Sequence, residues 1–444
     1  MGRRSMLLKL TALVAVVGFI AAACSSSNSS SDTTTTAASS SGGQAAARGG
    51  DGTLDIATII AETGQLGAYG PGVLAAIKLA VDDINAAGGV LGKPVTLEPN
   101  QDDASDAQKA GTAADQVING TQADAVIGAL GSTASAAIIE KLAGAGIVQC
   151  SPSNTAASLT QKNDYGGHYF RTAPSDELQA PVLADKILQD GHKKIAIIAR
   201  NDDYGTGFAS SLKSDLEDSN ATVTQSVSYD PNAPDLKAQV QQVVNSNPDA
   251  IAMISFTDDG AKILSGLIES GWSPGQKPVY GTDGIQGDTV DAQGQIKPQS
   301  VGAQVNPNDP KALDGLLGSA PAFSVTPEFK TRFEAVKPPT AQSVFTGQAY
   351  DCVTIIALAA EQAKSDKTSD IVTNIEKVTN DGDECNSYAA CKALIDEGKD
   401  VAYVGAVGAI NLDAKGDPTV GDYDIWKLEG GRLQTLETVK QTRN

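Results

Sequence analysis

From Leu54 onward the chain alternates between two rhythms of apolar and polar positions. Leu54 to Ala61 is a short apolar run suited to a buried strand, and Pro71 to Ala87 then carries Val73, Leu74, Ile77, Val81 and Ile84 at helical spacing. Pro71 near the start and Gly88-Gly89 at the end punctuate that helix. The same reading predicts strands at 94–98, 124–130 and 146–150, separated by helices at 103–119 and 133–145. A polar stretch at 151–168 interrupts the series. It restarts with a helix at 176–189, then strand 194–200, helix 205–217, strand 222–229, helix 235–245, strand 250–256, helix 259–270 and strand 278–281. Asp124 to Cys150 and Asp249 to Gly281 echo each other as strand, polar loop, helix, strand. Short apolar strands joined by amphipathic helices predict an α/β protein with parallel sheets covered on both faces, and the echo predicts one unit copied. Ligands in such sheets bind beyond the carboxyl ends of the strands. Two units facing each other would line a cleft with loops 130–133, 151–155, 200–204, 256–259 and 281–284.

Composition narrows the function classes. At 444 residues and 41% hydrophobic, the chain is long enough for two or three domains and apolar enough to bury cores. Fifty-three acidic against 33 basic residues give a net charge of −20, which repels phosphate backbones and disfavours a nucleic-acid binder. Two histidines and five cysteines leave little for a His-rich metal site or a His-based triad. There is no nucleophile elbow between a strand and a helix, no His-Glu-x-x-His and no P-loop, so no enzyme is expected. His168 and His192 read as separate loop residues. The pairs Asp102-Asp103, Asp202-Asp203 and Asp258-Asp259 lack EF-hand spacing and read as loop ends and helix N-termini, so neither metal nor cofactor is expected.

The N-terminus reads as an address. Arg3, Arg4 and Lys9 precede an apolar run from Leu10 to Ala23, shorter than a bilayer crossing needs, with Cys24 directly after it. Ala21-Ala22-Ala23-Cys24 resembles a bacterial lipobox, which makes 1–23 a signal peptide and Cys24 a lipidated first residue; an ordinary signal cleavage is the alternative. The rest of 24–52 is almost wholly small and polar and reads as a flexible linker, and no later segment offers eighteen uninterrupted apolar residues. The expected location is the outer face of the cytoplasmic membrane, held by lipid alone. Disulfides persist there. On one continuous helix Cys385 and Cys391 would lie about 9 Å apart, too far to bridge. Ser387, however, reads as the N-cap of a helix at 388–397, which folds Cys385 back toward Cys391 and makes a local bridge expected. Cys150 and Cys352 either form the second pair or stay as buried free thiols.

The cleft loops carry a family resemblance. Gly64-x-x-Gly67-x-Tyr69-Gly70, Ala75 to Gly89, Asp102-Asp103, Ser151-Pro152-x-x-Thr155, Tyr169-Phe170-Arg171-Thr172, Asp203-Tyr204-Gly205-x-Gly207, Gly281-x-Asp283-Gly284, Tyr350-Asp351 and Gly416-Asp417 occur in an order that resembles the type I extracytoplasmic solute-binding proteins. Within these the chain is similar to the branched-chain amino-acid-binding proteins of ATP-driven importers, over roughly residues 53–430. The resemblance implies two Rossmann-like lobes hinged by three crossovers near 171–174, 302–306 and 405–409. The first lobe would take 53–172 and 304–406, the second 173–303 and 407–444. It also implies that Ser132 and Thr133 hold a ligand carboxylate at a helix start, where free N–H groups favour an anion. Ser153 and Thr155 would add backbone and hydroxyl contacts, Asp283 would oppose the ammonium in place of the family's more common Glu, and Tyr69, Tyr204, Phe256 and Thr257 would form the walls. Phe345 is a weaker candidate. The implied partners are a small amino acid or amide and an ABC permease, with the protein acting as a monomer. A sensory subunit, or a binder of amides or urea, is the alternative.

Overall fold

The computed structural model describes residues 48–161, 165–322, 326–380 and 382–443. The signal segment 1–23, Cys24 and most of the linker lie outside them.

The apolar runs pair as the alternation predicts. β1 (Asp55–Ile59), β2 (Thr96–Leu97), β3 (Ala125–Gly128), β4 (Val148–Ser151) and β5 (Tyr169–Arg171) form one parallel sheet in the order β2-β1-β3-β4-β5. β6 (Lys194–Arg200), β7 (Thr222–Tyr229), β8 (Ala250–Ile254), β9 (Val279–Gly281) and β10 (Leu317–Pro321) open a second sheet. β11 (Asp383–Cys385), β12 (Val401–Gly405) and β13 (Gly408–Ala409) make a small separate sheet. β14 (Val420–Glu429) and β15 (Arg432–Thr442) then complete the second in the order β15-β14-β10-β9-β8-β6-β7. Its first five strands run parallel, and β14 and β15 add an antiparallel ribbon at one edge. Every residue of β3 and of β8 is buried, as expected of strands covered on both faces. The molecule is thus an α/β protein of two lobes, each a mainly parallel sheet flanked by helices.

Several boundaries differ from expectation, each for a local reason. Residues 48–52 belong to the body rather than the tether. The Arg48 guanidinium bonds the carbonyls of Ile118 and Thr121, and the Asp366 carboxylate accepts from Gly50 N and Gly52 N at 2.8 and 2.6 Å. The helix expected from Asp103 starts at Ala107, because Asp106 caps it by accepting from Gln108 N and Lys109 N.

Residues 172–175 join β5 of the first sheet to the helix Asp176–Gln189, which packs on β10 and β14 of the second. The second crossover does not lie at 302–306. Those residues fall in and just beyond a short helix, Val301–Val305, capped by Ser300 and packed on the helix Thr257–Glu269 of the second lobe. β10 then still pairs with β9, so 304–321 stays with the second sheet and the chain crosses after Pro321. Nor is 405–409 a crossover: it is the tight turn joining β12 to β13, and the second sheet is rejoined only at Val420. Gly405 lies so close to Asp351 that an added Cβ would fall 2.3 Å from the carboxylate, which accepts from Ala406 N and Val407 N. A buried aspartate folds the chain back there.

Both disulfides form. Cys150 on β4 joins Cys352 on the long buried helix Thr346–Ala363, and Cys385 joins Cys391, whose helix is capped by Ser387 as the spacing predicts.

Candidate functional site

The loops that follow the carboxyl ends of β3, β4, β6, β8 and β9 meet between the lobes. They enclose about 310 Å³ of space walled by Leu66, Tyr69, Leu130, Ser132, Ser153, Thr155, Tyr204, Phe256, Asp283, Gly284 and Phe345. A larger cavity of about 470 Å³ lies among the crossovers, beside Thr172, Pro174 and Ala322, and shares no wall with the first.

On the first-lobe side, Gly131 is the cap of the helix Ser132–Gly144, so Ser132 is its first residue rather than its cap. Its hydroxyl is free of a capping role and accepts instead from Ala156 N at 3.3 Å. Ser153 donates to the Leu130 carbonyl at 2.8 Å, which draws the Ser-Pro loop onto the end of β3. The result is a run of hydroxyls over a helix N-terminus, with two leucines behind them. Such a surface suits an anion attached to an apolar group.

Across the cleft the chemistry inverts. Asp283 is 3% exposed, and its Oδ1 accepts from Gln179 Nε2 at 3.0 Å and from the Tyr204 hydroxyl at 2.9 Å. Burial raises its pKa and the two hydrogen bonds oppose the rise, leaving it at about 6. Asp176 is buried nearby, and desolvation, then the Asp283 charge, keeps its proton on well above the usual carboxylate range. Tyr204 stacks on Phe256 with centroids 5.4 Å apart, and Arg200 covers Phe256 with Cζ 3.6 Å from the ring centroid. Arg200 is fixed by Asp202 at 2.5 Å and Asp259 at 3.3 Å. Gly205 lets it lie there, since an added Cβ would fall 2.2 Å from the Arg200 carbonyl. Gly284 likewise sits against Phe256 and the Ser255 carbonyl, where a Cβ would be 2.4 Å from that oxygen.

The lobes touch directly. The Tyr69 hydroxyl reaches the carbonyls of Gly284 and Gln286 at 3.1 and 3.0 Å. Gln65 accepts from Arg200 Nη2 at 2.8 Å, and Thr133 Oγ1 bonds Asp203 Oδ2 at 3.0 Å. This is a closed cleft.

The family model of the periplasmic binding proteins matches residues 53–409. The chain belongs to that family. It is 26% identical over 386 residues to Leu/Ile/Val-binding protein homolog 3 of Brucella melitensis, covering 86% of this chain and 94% of that one. It is 25% identical to BasB of Halobacterium salinarum, a chemotactic signal transduction substrate-binding protein, over 85% of this chain and 87% of the other. Among solved structures, the branched-chain amino acid transporter substrate-binding protein LivJ of Streptococcus pneumoniae, in complex with isoleucine, superposes with a TM-score of 0.69 at 22% identity. That superposition covers 87% of this chain and 99% of LivJ, so the fold is common to both. The family consists of substrate-binding receptors rather than enzymes. No helix among the described residues is long and apolar enough to cross a membrane.

Seen with the family fold in place, the candidates separate. Tyr69, Ser132, Ser153, Thr155, Tyr204, Phe256 and Asp283 line the enclosed space, and so does Phe345. Thr133 and Thr257 do not. Thr133 is spent on Asp203 across the cleft, and Thr257, first residue of its helix, is buried beside the Tyr69 hydroxyl. Leu66, Leu130 and Gly284 were not foreseen as walls. Leu66 was legible as the one apolar residue between Gly64 and Gly67, where a glycine-rich loop dips into the cleft. Gln179 carried no signal, since its contact with Asp283 spans 104 residues. A Gly-x-Ser-x-Gly pentapeptide does occur at Gly271–Gly275, but it leads from the helix Thr257–Glu269 toward β9, the reverse of a nucleophile elbow.

Proposed function

We propose that the protein is a lipid-anchored extracytoplasmic receptor that captures a small, branched-chain-like amino acid in the interlobe cleft and presents it to an ABC permease. The observation that carries this reading is the opposition of Asp283, a buried carboxyl held by Gln179 and Tyr204, to Ser132 at a helix N-terminus. A zwitterion bridges those two ends, and Leu66, Leu130 and Phe345 offer its side chain an apolar lining. A benzoate-like acid lacks the cation that Asp283 requires. Each charge-assisted bond contributes about 1.5–3 kcal/mol, so two or three with a buried aliphatic group reach the ~8 kcal/mol of micromolar binding. Because the ligand touches both lobes it stabilises the closed state, and closure is the form a permease would read. The names of the Brucella and Streptococcus relatives support the ligand class.

The anchor reading rests on Cys24 and the segment before it. The body supports it, because Arg48 fixes the base of the tether at the amino ends of β1 and β3, opposite the cleft. The name of the halobacterial relative favours a second reading, in which the same closure signals to a chemotaxis receptor. Calorimetry on the lipid-free protein with leucine, isoleucine, valine, acetamide, urea and benzoate tests the ligand. Micromolar heats with the three amino acids alone are expected, and binding of benzoate or amides in their place would overturn the proposal. Loss of amino-acid uptake on gene deletion separates transport from sensing.

A further inference from the structure

Outside the ligand cleft the lobes are joined by a second clasp. The segment 286–300 is tied to the β14–β15 turn of the second lobe by Thr289 N on the Gly431 carbonyl and Leu433 N on the Asp288 carboxylate. From it Lys297 reaches the first lobe, donating to the Ala341 carbonyl at 3.3 Å and to Gln342 Oε1 at 3.2 Å. Gln342 Nε2 returns a bond to the Asp288 carbonyl at 3.1 Å. Lys297 is only 5% exposed, with the Asp288 carboxylate 3.8 Å away and Lys337, Asp291 and Glu334 around it. A lysine so deeply covered needs such partners, and its two hydrogen-bond acceptors come from the opposite lobe.

The gripped loop leads straight to the ligand wall. Three residues on, Phe345 lines the cleft at φ +61°, a left-handed conformation that a bulky side chain adopts only when its surroundings impose it. The Gln342 carbonyl packs against Gly72, where an added Cβ would fall 2.1 Å from it, at the start of the helix that follows Tyr69. The Tyr69 and Phe345 rings meet edge-on with centroids 6.4 Å apart. Clasp, loop and two cleft walls are therefore contiguous.

We infer that Lys297 is a positioning residue: by gripping Ala341 and Gln342 on closure it holds Phe345 and Tyr69 against the ligand and sets how long the ligand stays. The inference rests on the receptor reading above, since it assumes a cleft that opens and closes. The experiment compares Lys297→Met, Gln342→Ala and the double variant, using the release of radiolabelled leucine into an unlabelled chase. Lys297→Met should release leucine about tenfold faster, the effect of one charge-assisted hydrogen bond, with unchanged association. Gln342→Ala should act in the same direction, and the double variant should fall well short of the product of the two single effects, because they share the Lys297–Gln342 bond. Wild-type release rates in Lys297→Met, or effects that multiply in the double variant, would overturn the inference. Spin labels placed one in each lobe give a ligand-independent readout. If wild type binds no leucine, the ligand assignment falls, yet Lys297→Met should still shift the interlobe distances longer, and an unchanged distribution would refute the clasp.

Discussion

The first lobe offers the cleft hydroxyls over a helix start, Ser132, Ser153 and Thr155, while the second offers a carboxylate, Asp283, bedded among Gln179, Tyr204 and Phe256. The first is also stapled, because both disulfides, Cys150–Cys352 and Cys385–Cys391, lie within it. The second is held by charge. Arg200 ties Asp202 and Asp259 together, and Tyr229 donates to Asp259 Oδ2 at 2.5 Å. On the proposed function, the difference divides the ligand's polarity between the lobes, so neither half would bind well alone and affinity would be coupled to closure. It also teaches that the anionic half carries the larger electrostatic stake, since a buried charge left unpaired costs more than a lost hydroxyl contact.

That asymmetry can be broken from either side. Asp283→Asn keeps the shape and the bond from Tyr204 but leaves a ligand ammonium unpaired. It should weaken amino-acid binding by roughly 3–4 kcal/mol, or about 10²- to 10³-fold by calorimetry, with the melting temperature of the empty protein nearly unchanged. A loss below tenfold would remove Asp283 from the site. Replacing Cys150 and Cys352 with alanine, which opens a span of 202 residues, should cost about 2–5 kcal/mol of stability. Hydrogen exchange should then quicken in β3 and β4 but not in β6 and β8, and uniform loosening would contradict separate bracing of the lobes. Ser132→Ala should cost about tenfold in affinity, less than Asp283→Asn.

Acidity gives an effect as small as that of Ser132→Ala and the most diagnostic one. Asp283 must be ionised to hold an ammonium, and its pKa stands at about 6. Amino-acid affinity should therefore be about tenfold weaker at pH 5 than at pH 7, and Asp283→Asn should abolish that slope. The empty fold responds in the opposite sense. A carboxyl that keeps its proton to higher pH when folded adds stability below the ordinary carboxylate range, and loses it as pH rises through about 6. Parallel pH dependence of affinity and of empty-fold stability would contradict the assignment.

The pattern of the chain was most readable where burial is one-dimensional. β6 and β7 lie at 194–200 and 222–229 as predicted: β6 is a continuous apolar run, Ile195–Ala199, with few other ways to be buried, while β7 is an edge strand whose polar positions alternate with β-branched and aromatic ones. The helix Thr346–Ala363 escaped, since it is buried on nearly all sides and shows no polar face from which to read a period. The crossovers moved for a related reason. Whether 301–305 spans two lobes or coils against one depends on what waits beside it, and that neighbour, the helix Thr257–Glu269, is remote in the chain.

Within the site, Tyr204 and Asp283 were legible through the resemblance of Asp203-Tyr204-Gly205-x-Gly207 and Gly281-x-Asp283-Gly284 to the family, since taken singly they read as an ordinary aromatic and a turn aspartate. Sequence alone determined the alternating elements, the acidic charge and which loops gather at the strand ends. Tertiary structure alone decided that Thr133 faces Asp203 and not the cleft, that Gln179 holds Asp283, and that Lys297 closes on a loop of the opposite lobe. The physical reason is reach: periodicity and turn chemistry act over a few residues, whereas those contacts join residues 44 to 104 positions apart whose meeting depends on how two lobes come together.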